Sequence, residues 1–236
     1  MELDEISNDS TISYLSDNNT DSCFLYDTQD YIPPPIFEDL QPKINNIISS
    51  ANLCCPLNLK NISLKFKNAE YNTNKTLTIS LKSKNSKITG TLFSNGKMIC
   101  SGGKSTFEAK TACSKFCKIV KKLGYKVELK DFKIHNIIMS YDVQFKISLN
   151  DLYDKLKNLK NKNNNNYVRY NKEIFSGVFF YFNDFKINLT FFESGKVILS
   201  GGKKIKDIED VFRGIYQILI ETRMINCNED EKWIMN

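Results

Sequence analysis

The sequence predicts an α+β fold that contains an internal duplication. The run from Phe93 to Lys104 recurs from Phe192 to Lys203, with Phe, Gly, Lys, Ser, Gly, Gly and Lys at the same offsets, 99 residues apart. Patterns of period two, typical of strands, precede each run, and a pattern of helical period follows it. We therefore expect two similar copies, each with antiparallel strands and with helices on one side.

The strands of the first copy follow from alternation and turn residues. Residues 44–51 are the expected first strand, and residues 76–81 and 87–92 alternate with period two. The Ser-Asn-Gly at 94–96 supplies a hairpin turn, because Asn-Gly favours positive φ. These segments predict an antiparallel meander.

Two helices are expected in the first copy, a short one within 54–67 and a long one over 105–123. Ser105 is the expected N-cap of the long helix, Glu108 stands at the capping-box position, and Gly124 ends the helix. Phe107 is counted among the apolar positions of its buried stripe.

The second copy repeats this order with one insertion. Its first strand, 134–141, follows its counterpart by 90 residues, so about nine extra residues lie before the repeated hairpin. The polar run 157–166 is the expected place, as an exposed loop or a frayed helix end. The other expected elements are a helix over 149–159, strands 178–183 and 187–192, and a helix over 207–222.

The charge of the chain changes after residue 42. Residues 1–42 contain ten Asp and Glu and no Lys or Arg, whereas the rest carries 33 Lys and Arg against 17 Asp and Glu, a net charge of +16. An acidic leader before a basic body is typical of nucleic-acid proteins, and a solubilising tail on an ordinary domain is the alternative. The composition predicts a largely disordered leader, which either folds back onto the basic face or stays solvated.

Several classes of protein are excluded by the residues present. The seven cysteines are irregularly spaced, which favours a reducing compartment, and Cys113 and Cys117 lack further metal ligands. The Gly-Gly-Lys at 102–104 lacks P-loop spacing, and His135 is the single His. Neither a signal peptide nor a membrane-spanning run is expected. We predict a protein that is not an enzyme and has no metal or cofactor.

Each central hairpin has two chemically different faces. One face suits packing under the helices and carries Leu92, Met98 and Cys100 and their counterparts Phe191, Val197 and Leu199. The opposite face carries small hydroxyl, aliphatic and Phe side chains with Lys at its margins. Such a face suits a DNA minor groove, with aliphatic groups as a floor, Phe rings as wedges and Lys on phosphates. The alternative is that Phe93 and Phe192 are core residues.

Ordered motifs over residues 43–223 resemble the TATA-binding protein family. They are residues 68–72, 93–98, 123–124, 131–134, 136–137, 142–143 and 194–197. The resemblance implies a TATA-binding-protein-like saddle of two pseudo-symmetric lobes, each a curved antiparallel sheet with helices on the convex side. It divides the chain into a leader (1–42), a first lobe (43–133), a second lobe (134–224) with the Asn-rich insertion near 157–166, and a tail (225–236).

The resemblance also implies a function in transcription initiation. A protein of this family binds double-stranded AT-rich promoter DNA in the minor groove, bends it by Phe insertion and nucleates the pre-initiation complex in the nucleus. The implied protein partners are the general transcription factors IIA and IIB and the TATA-binding-protein-associated factors. One alternative is a related paralogue that recognises TATA weakly and acts through protein partners. Another is an interaction module that kept the saddle and lost DNA binding.

The positions that match the family imply specific contacts. Asn46 and Asn136 are expected to bond bases near the centre of the site, with Phe175 and Phe192 as one wedge pair and Phe93 as a wedge of the first lobe. The implied floor and its hydroxyl neighbours are Ile48, Ile99, Ile138, Ile198, Thr91, Ser101, Thr190 and Ser200. The implied phosphate contacts are Lys75, Lys82, Lys97, Lys104, Lys186, Lys196 and Lys203. The implied partner contacts are Lys110, Lys115 and Lys122 for factor IIA, and Glu173 and Ile174 for factor IIB.

The chain departs from the family at positions that bear on binding. Thr76 stands where the family has a wedge Phe, with Thr73 in place of a Pro, and Tyr181 replaces a basic residue. The resemblance also implies a loop just before Phe175, which we call the stirrup. Asn171 and Lys172 stand where this loop is expected to have an acidic residue and a Pro. These departures favour either a divergent TATA-binding protein or a TATA-binding-protein-related factor.

Overall fold

The computed structural model describes residues 32–65, 69–72, 76–82, 87–162 and 166–224. The first copy contains β1 (Lys43–Asn52), α1 (Leu59–Ser63), β2 (Ala69–Asn72), β3 (Thr76–Lys82), β4 (Lys87–Phe93), β5 (Lys97–Gly103) and α2 (Thr106–Lys122). The second contains β6 (Lys130–Asp142), α3 (Leu149–Lys162), β7 (Tyr167–Arg169), β8 (Gly177–Phe182), β9 (Ile187–Phe192), β10 (Lys196–Ser200) and α4 (Ile205–Glu221). We call these copies the first and the second lobe.

One antiparallel sheet of ten strands joins the two lobes, in the order β2-β3-β4-β5-β1-β6-β10-β9-β8-β7. Read outward from the central pair β1 and β6, the order of strands is the same in both lobes. At this seam Ile47 is opposite Ile137 and Ile48 is opposite Asn136. The predicted α+β saddle of two pseudo-symmetric lobes is therefore confirmed.

The helices cover one face of this sheet, as the alternation predicts. Leu92, Met98 and Cys100 and their counterparts Phe191, Val197 and Leu199 are all fully buried. They meet the apolar sides of α2 and α4, from which Phe116 and Phe212 enter the core. Burial of one such side chain contributes about 1.5–3 kcal/mol, so strand alternation fixes which face turns towards the helices. None of the described helices is long and apolar enough to cross a membrane.

The start of α2 confirms one prediction and contradicts another. The Ser105 hydroxyl accepts a hydrogen bond from the Glu108 backbone N–H at 3.0 Å, as expected of the N-cap. Phe107 is 80% exposed, although its apolar character suggested a core position. The buried stripe of α2 runs through Ala109, Ala112 and Phe116. Phe107 lies two residues before this stripe, which places it about 200° around the helix axis.

The Asn-rich insertion is partly helical. Helix α3 continues to Lys162, so the first part of the predicted insertion extends that helix, whereas residues 163–165 lie outside the described residues. Asn166, expected to be exposed, is buried, and its Oδ1 accepts the backbone N–H of Asn183 at 2.8 Å. The end of the insertion is therefore tied to the turn between β8 and β9.

A short segment before β1, residues 34–40, packs on the helical side of the second lobe. We call it the strap. The Phe37 ring lies 5.8 Å from the ring of Phe212 and 5.6 Å from that of Tyr216, with the guanidinium of Arg213 4.1 Å from its centre. The same guanidinium bonds Glu38 at 2.6 Å and holds the pKa of that carboxyl below its ordinary value. The expected leader thus packs from Pro34 onward, whereas residues 1–31 lie outside the described residues.

We predict that Phe37→Ala lowers the free energy of unfolding by about 2 kcal/mol, because it removes a half-buried ring from an aromatic cluster. Urea denaturation followed by circular dichroism measures the change. Phe107→Ala is the matched control, because its exposed ring should shift stability by less than about 0.5 kcal/mol. Equal effects of the two substitutions would contradict the packing of the strap.

Candidate nucleic-acid interface

The face of the sheet opposite the helices is left open by all described elements. We call it the open face. It is lined by Asn46, Ile48, Thr91, Phe93, Ile99 and Ser101 from the first lobe and by Asn136, Ile138, Thr190, Phe192, Ile198 and Ser200 from the second. Eleven of these side chains are half-buried, and Ile99 is exposed. Phe93 and Phe192 are therefore surface residues of the sheet rather than core residues.

Two asparagines near the seam have matching geometry. The Oδ1 of Asn46 accepts the backbone N–H of Gly102, and the Oδ1 of Asn136 accepts that of Gly201, each at 2.7 Å. These bonds fix the orientation of both side-chain amides. Neither Nδ2 group has a hydrogen-bond acceptor within the part of the chain that the structure describes. Each lobe thus presents one oriented amide donor beside the apolar floor.

Gly102 and Gly201 can hold these amides because of their backbone conformation. Their φ angles are +102° and +106°, in the region that favours glycine. A Cβ atom would also approach the backbone oxygen of Lys87 or of Lys186 to 2.3 Å. The first Gly of each repeated Gly-Gly-Lys therefore lies at the end of a strand and donates its N–H to an asparagine. This structural role is consistent with the lack of P-loop spacing in the sequence.

The predicted wedge residues of the second lobe belong to an aromatic cluster. The Phe175 ring stacks on Phe179 with centroids 4.7 Å apart and meets Phe192 edge-on at 5.8 Å. Gly177 leaves space for this arrangement, because a Cβ there would lie 2.7 Å from the Phe175 ring. Phe179, which is 40% exposed on the open face, was not among the predicted residues of the site.

Among its described residues, the first lobe has no equivalent aromatic cluster. Phe93 is opposite Thr76 in the register of β3 and β4, so the residue beside this ring is a small hydroxyl side chain. Thr78 and Thr91 form the next opposite pair. The two hairpins repeat in sequence, but the described aromatic surface is concentrated on the second lobe.

The stirrup before Phe175 is ordered by hydrogen bonds to Asn171. The Oδ1 of Asn171 accepts the N–H of Glu173 at 3.0 Å, and its backbone oxygen accepts the N–H of Ile174 and of Phe175 at 3.1 and 2.9 Å. Asn side chains stabilise turns in this manner. Glu173 and Ile174 project from the turn, and Ile174 is 82% exposed.

The predicted cationic residues lie on two different surfaces. Exposed lysines at the ends of open-face strands are Lys97, Lys104, Lys186, Lys196 and Lys203. Lys110, Lys115 and Lys122 are exposed along α2, on the helical side. Lys75 lies outside the described residues, and Lys82 ends β3 with a side chain that is not described. The exposed lysines expected to contact phosphates and those expected to contact factor IIA are therefore on opposite sides of the sheet.

The cysteines of α2 belong to the core. The Cys113 thiol hydrogen-bonds the Cys100 thiol, with the sulfur atoms 3.2 Å apart between α2 and β5. This hydrogen bond and burial raise the pKa of Cys100 above its ordinary value, so the thiol stays protonated. Among the described residues, no cluster of three or more His, Cys, Asp or Glu side chains could hold a metal.

The geometry defines a saddle of two pseudo-symmetric lobes, with an open face that carries matching residues from both lobes. The family profile "Transcription factor TFIID (or TATA-binding protein, TBP)" matches residues 41–123 and 131–222. The chain belongs to the TATA-binding protein family. It is accordingly a DNA-binding transcription factor and not an enzyme.

Individual relatives agree with this assignment. The TATA-box-binding protein of Tetrahymena thermophila is 37% identical over 203 residues, covering 86% of this chain and 79% of the relative. The TATA-box-binding protein-like 1 of Entamoeba histolytica is 35% identical over 190 residues, covering 80% and 84%. The solved structure of Methanococcus jannaschii TBP matches with a TM-score of 0.66 and 26% identity, covering 77% of this chain and 99% of that one.

We predict that Asn46→Ala speeds hydrogen exchange at the Gly102 amide about five- to tenfold, because this N–H loses its acceptor. NMR hydrogen exchange on the free protein measures the rate. Asn46→Asp should preserve most of the protection, because a carboxylate oxygen can replace Oδ1. The Gly201 amide is an internal control, and acceleration at both glycines would indicate general loosening of the sheet.

Proposed function

We propose that the open face binds AT-rich promoter DNA in the minor groove, that Phe insertion bends the duplex, and that the complex nucleates transcription initiation in the nucleus. The observation that carries this proposal is the matched pair of oriented amides, Asn46 and Asn136. Their Oδ1 atoms are engaged by backbone N–H groups, which leaves N–H donors for a ligand. The minor-groove edge of an A·T pair offers only acceptors, whereas G·C adds an amino donor. Two fixed donors therefore favour A·T pairs.

The apolar floor suits the same ligand. Ile48, Ile99, Ile138 and Ile198 provide a shallow surface without charge, and small hydroxyl side chains lie beside them. Such a surface can contact the sugars and base edges of a widened groove. Lysines at the margins lie where they could neutralise phosphates, which supplies affinity that depends on salt.

The aromatic cluster of the second lobe supports bending. Wedge side chains unstack a base step at a cost of about a few kcal/mol, offset by the larger contact surface of a bent duplex. Phe175 already rests on Phe179, and Phe192 meets its edge. A ring held by its neighbours loses less conformational freedom on insertion than an isolated ring.

The helical side supports partner binding in the same complex. Lys110, Lys115 and Lys122 are exposed on α2 and remain accessible when the open face is occupied. They are the proposed contact for factor IIA, and Glu173 and Ile174 on the stirrup are the proposed contact for factor IIB. The TATA-binding-protein-associated factors are proposed partners of the same complex.

We predict that Phe175→Ala/Phe192→Ala weakens binding to an AT-rich duplex by about tenfold or more and reduces its bend, because the wedge is lost. Fluorescence anisotropy measures affinity, and energy transfer between end-labelled strands measures the bend. Phe107→Ala, which alters a Phe on α2, should leave both unchanged. If the wild-type protein bound no better than the double variant at low salt, the DNA proposal would be wrong.

The pairing of Phe93 with Thr76 favours a second candidate, a paralogue with weak TATA recognition that acts mainly through protein partners. With one wedge residue absent, the first lobe is expected to kink DNA less than the second. The two candidates share a fold and differ in the strength of DNA binding.

We predict that Thr76→Phe tightens binding to the AT-rich duplex and increases the bend, because it gives Phe93 an aromatic neighbour on the opposite strand. Thr78→Phe, two residues further along β3 and therefore on the same face, controls for added apolar area. The same anisotropy and energy-transfer measurements apply. If Thr76→Phe changed neither the affinity nor the bend, the missing wedge would not explain weak recognition.

A further inference from the structure

The outer edge of the second lobe carries a column of three stacked side chains. Tyr167 on β7 is opposite Tyr181 on β8, and their ring centroids are 5.1 Å apart. The guanidinium carbon of Arg169 lies 5.1 Å from the centre of the Tyr167 ring. The cation is thus held over an aromatic support at the edge of the sheet.

Cross-strand register places this column on the open face. Arg169 is opposite Phe179, which in turn is opposite Thr190 of the open face. Residues directly opposite in an antiparallel ladder point to the same side of the sheet. Phe180, between Phe179 and Tyr181, is buried on the helical side. Arg169 therefore lies beside the aromatic cluster that contains Phe175.

The charge of Arg169 is available to a ligand. The residue is exposed, and none of the ion pairs found in the described part of the chain includes it. An arginine ordered by an aromatic ring presents a planar set of donors that matches the geometry of a phosphate. Its position beyond the wedge corresponds to the flank of a duplex bound along the open face.

The first lobe has the opposite charge at the equivalent place. In the second lobe the ladder reads Arg169, Phe179, Thr190 from the edge inward, and in the first lobe it reads Glu70, Thr78, Thr91. Glu70 is exposed. A carboxylate there repels a phosphate, so the described residues of the first lobe do not repeat this contact at the equivalent position.

We propose that Arg169, held over Tyr167, binds a backbone phosphate of the DNA flank beyond the Phe175 wedge, as a contact of the second lobe alone. The inference rests on the proposed DNA-binding function and adds a residue to it. Tyr181 stands where the resemblance implies a basic residue, and its ring supports the stack that carries Arg169. The positive charge is therefore supplied by Arg169 on the neighbouring strand.

The salt dependence of DNA binding tests this contact. Each neutralised phosphate contributes about −0.9 to the slope of log K against log salt concentration. For an AT-rich duplex with flanks on both sides, Arg169→Ala should reduce the magnitude of the slope by about 0.9 and weaken binding at low salt by about tenfold. Arg169→Gln repeats the loss of charge with a longer side chain. Circular dichroism verifies that each variant is folded.

Glu70→Ala is the matched control at the pseudo-symmetric position, and it should not reduce the slope. An unchanged slope in both Arg169 variants, with a wild-type protein that binds, would overturn the inference and leave the proposed function standing. An equal reduction in Glu70→Ala would also overturn it, because the effect would then be a general property of the sheet edge. A wild-type protein that binds no duplex would overturn both proposals.

Discussion

The antiparallel pairing of β1 with β6 is the constraint on which the rest of the saddle depends. Each strand also pairs with the hairpin of its own lobe, β1 with β5 and β6 with β10, so the seam turns two repeats into one sheet. Ile47 and Ile137 meet across it and are fully buried on the helical side. The same register brings Asn46 opposite Ile138 and Ile48 opposite Asn136. A shift by one residue would turn both amides into the core.

Because side chains alternate along each strand, the two faces of the sheet have different roles. On the helical side, apolar side chains such as Met98 and Val197 are removed completely from water. On the other side, the aliphatic residues remain only partly covered, which leaves apolar area that a ligand can bury. Stability therefore depends mainly on the helical side, and the open face can change its chemistry with little effect on the fold. Thr76, which stands where the resemblance implies a wedge Phe, is a difference of this kind.

Local rules account for the parts of the structure that were predicted correctly. The turn at Gly96, the N-cap at Ser105 and the faces of the central hairpins depend on neighbouring residues only. In β8 nearly every residue is apolar, so alternation could not assign a face to Phe179. Its place on the open face was therefore not predicted. The packing of Phe37 on α4 depends on contacts between residues about 175 positions apart, as between Glu38 and Arg213. Periodicity carries no information on such contacts.

The duplication is most symmetric at the seam and least symmetric at the edges. Asn46 and Asn136 repeat the same bond at the same distance, because any change there would disturb the shared strands. Towards the edges, fewer neighbours constrain each position, and the two lobes carry opposite charges at Glu70 and Arg169. A duplex bound along the open face therefore meets equal donors at its centre and unequal ends. Under the proposed binding mode, these unequal ends distinguish the two orientations of the saddle only on a site whose halves or flanks differ, because on a symmetric duplex the two orientations are the same complex.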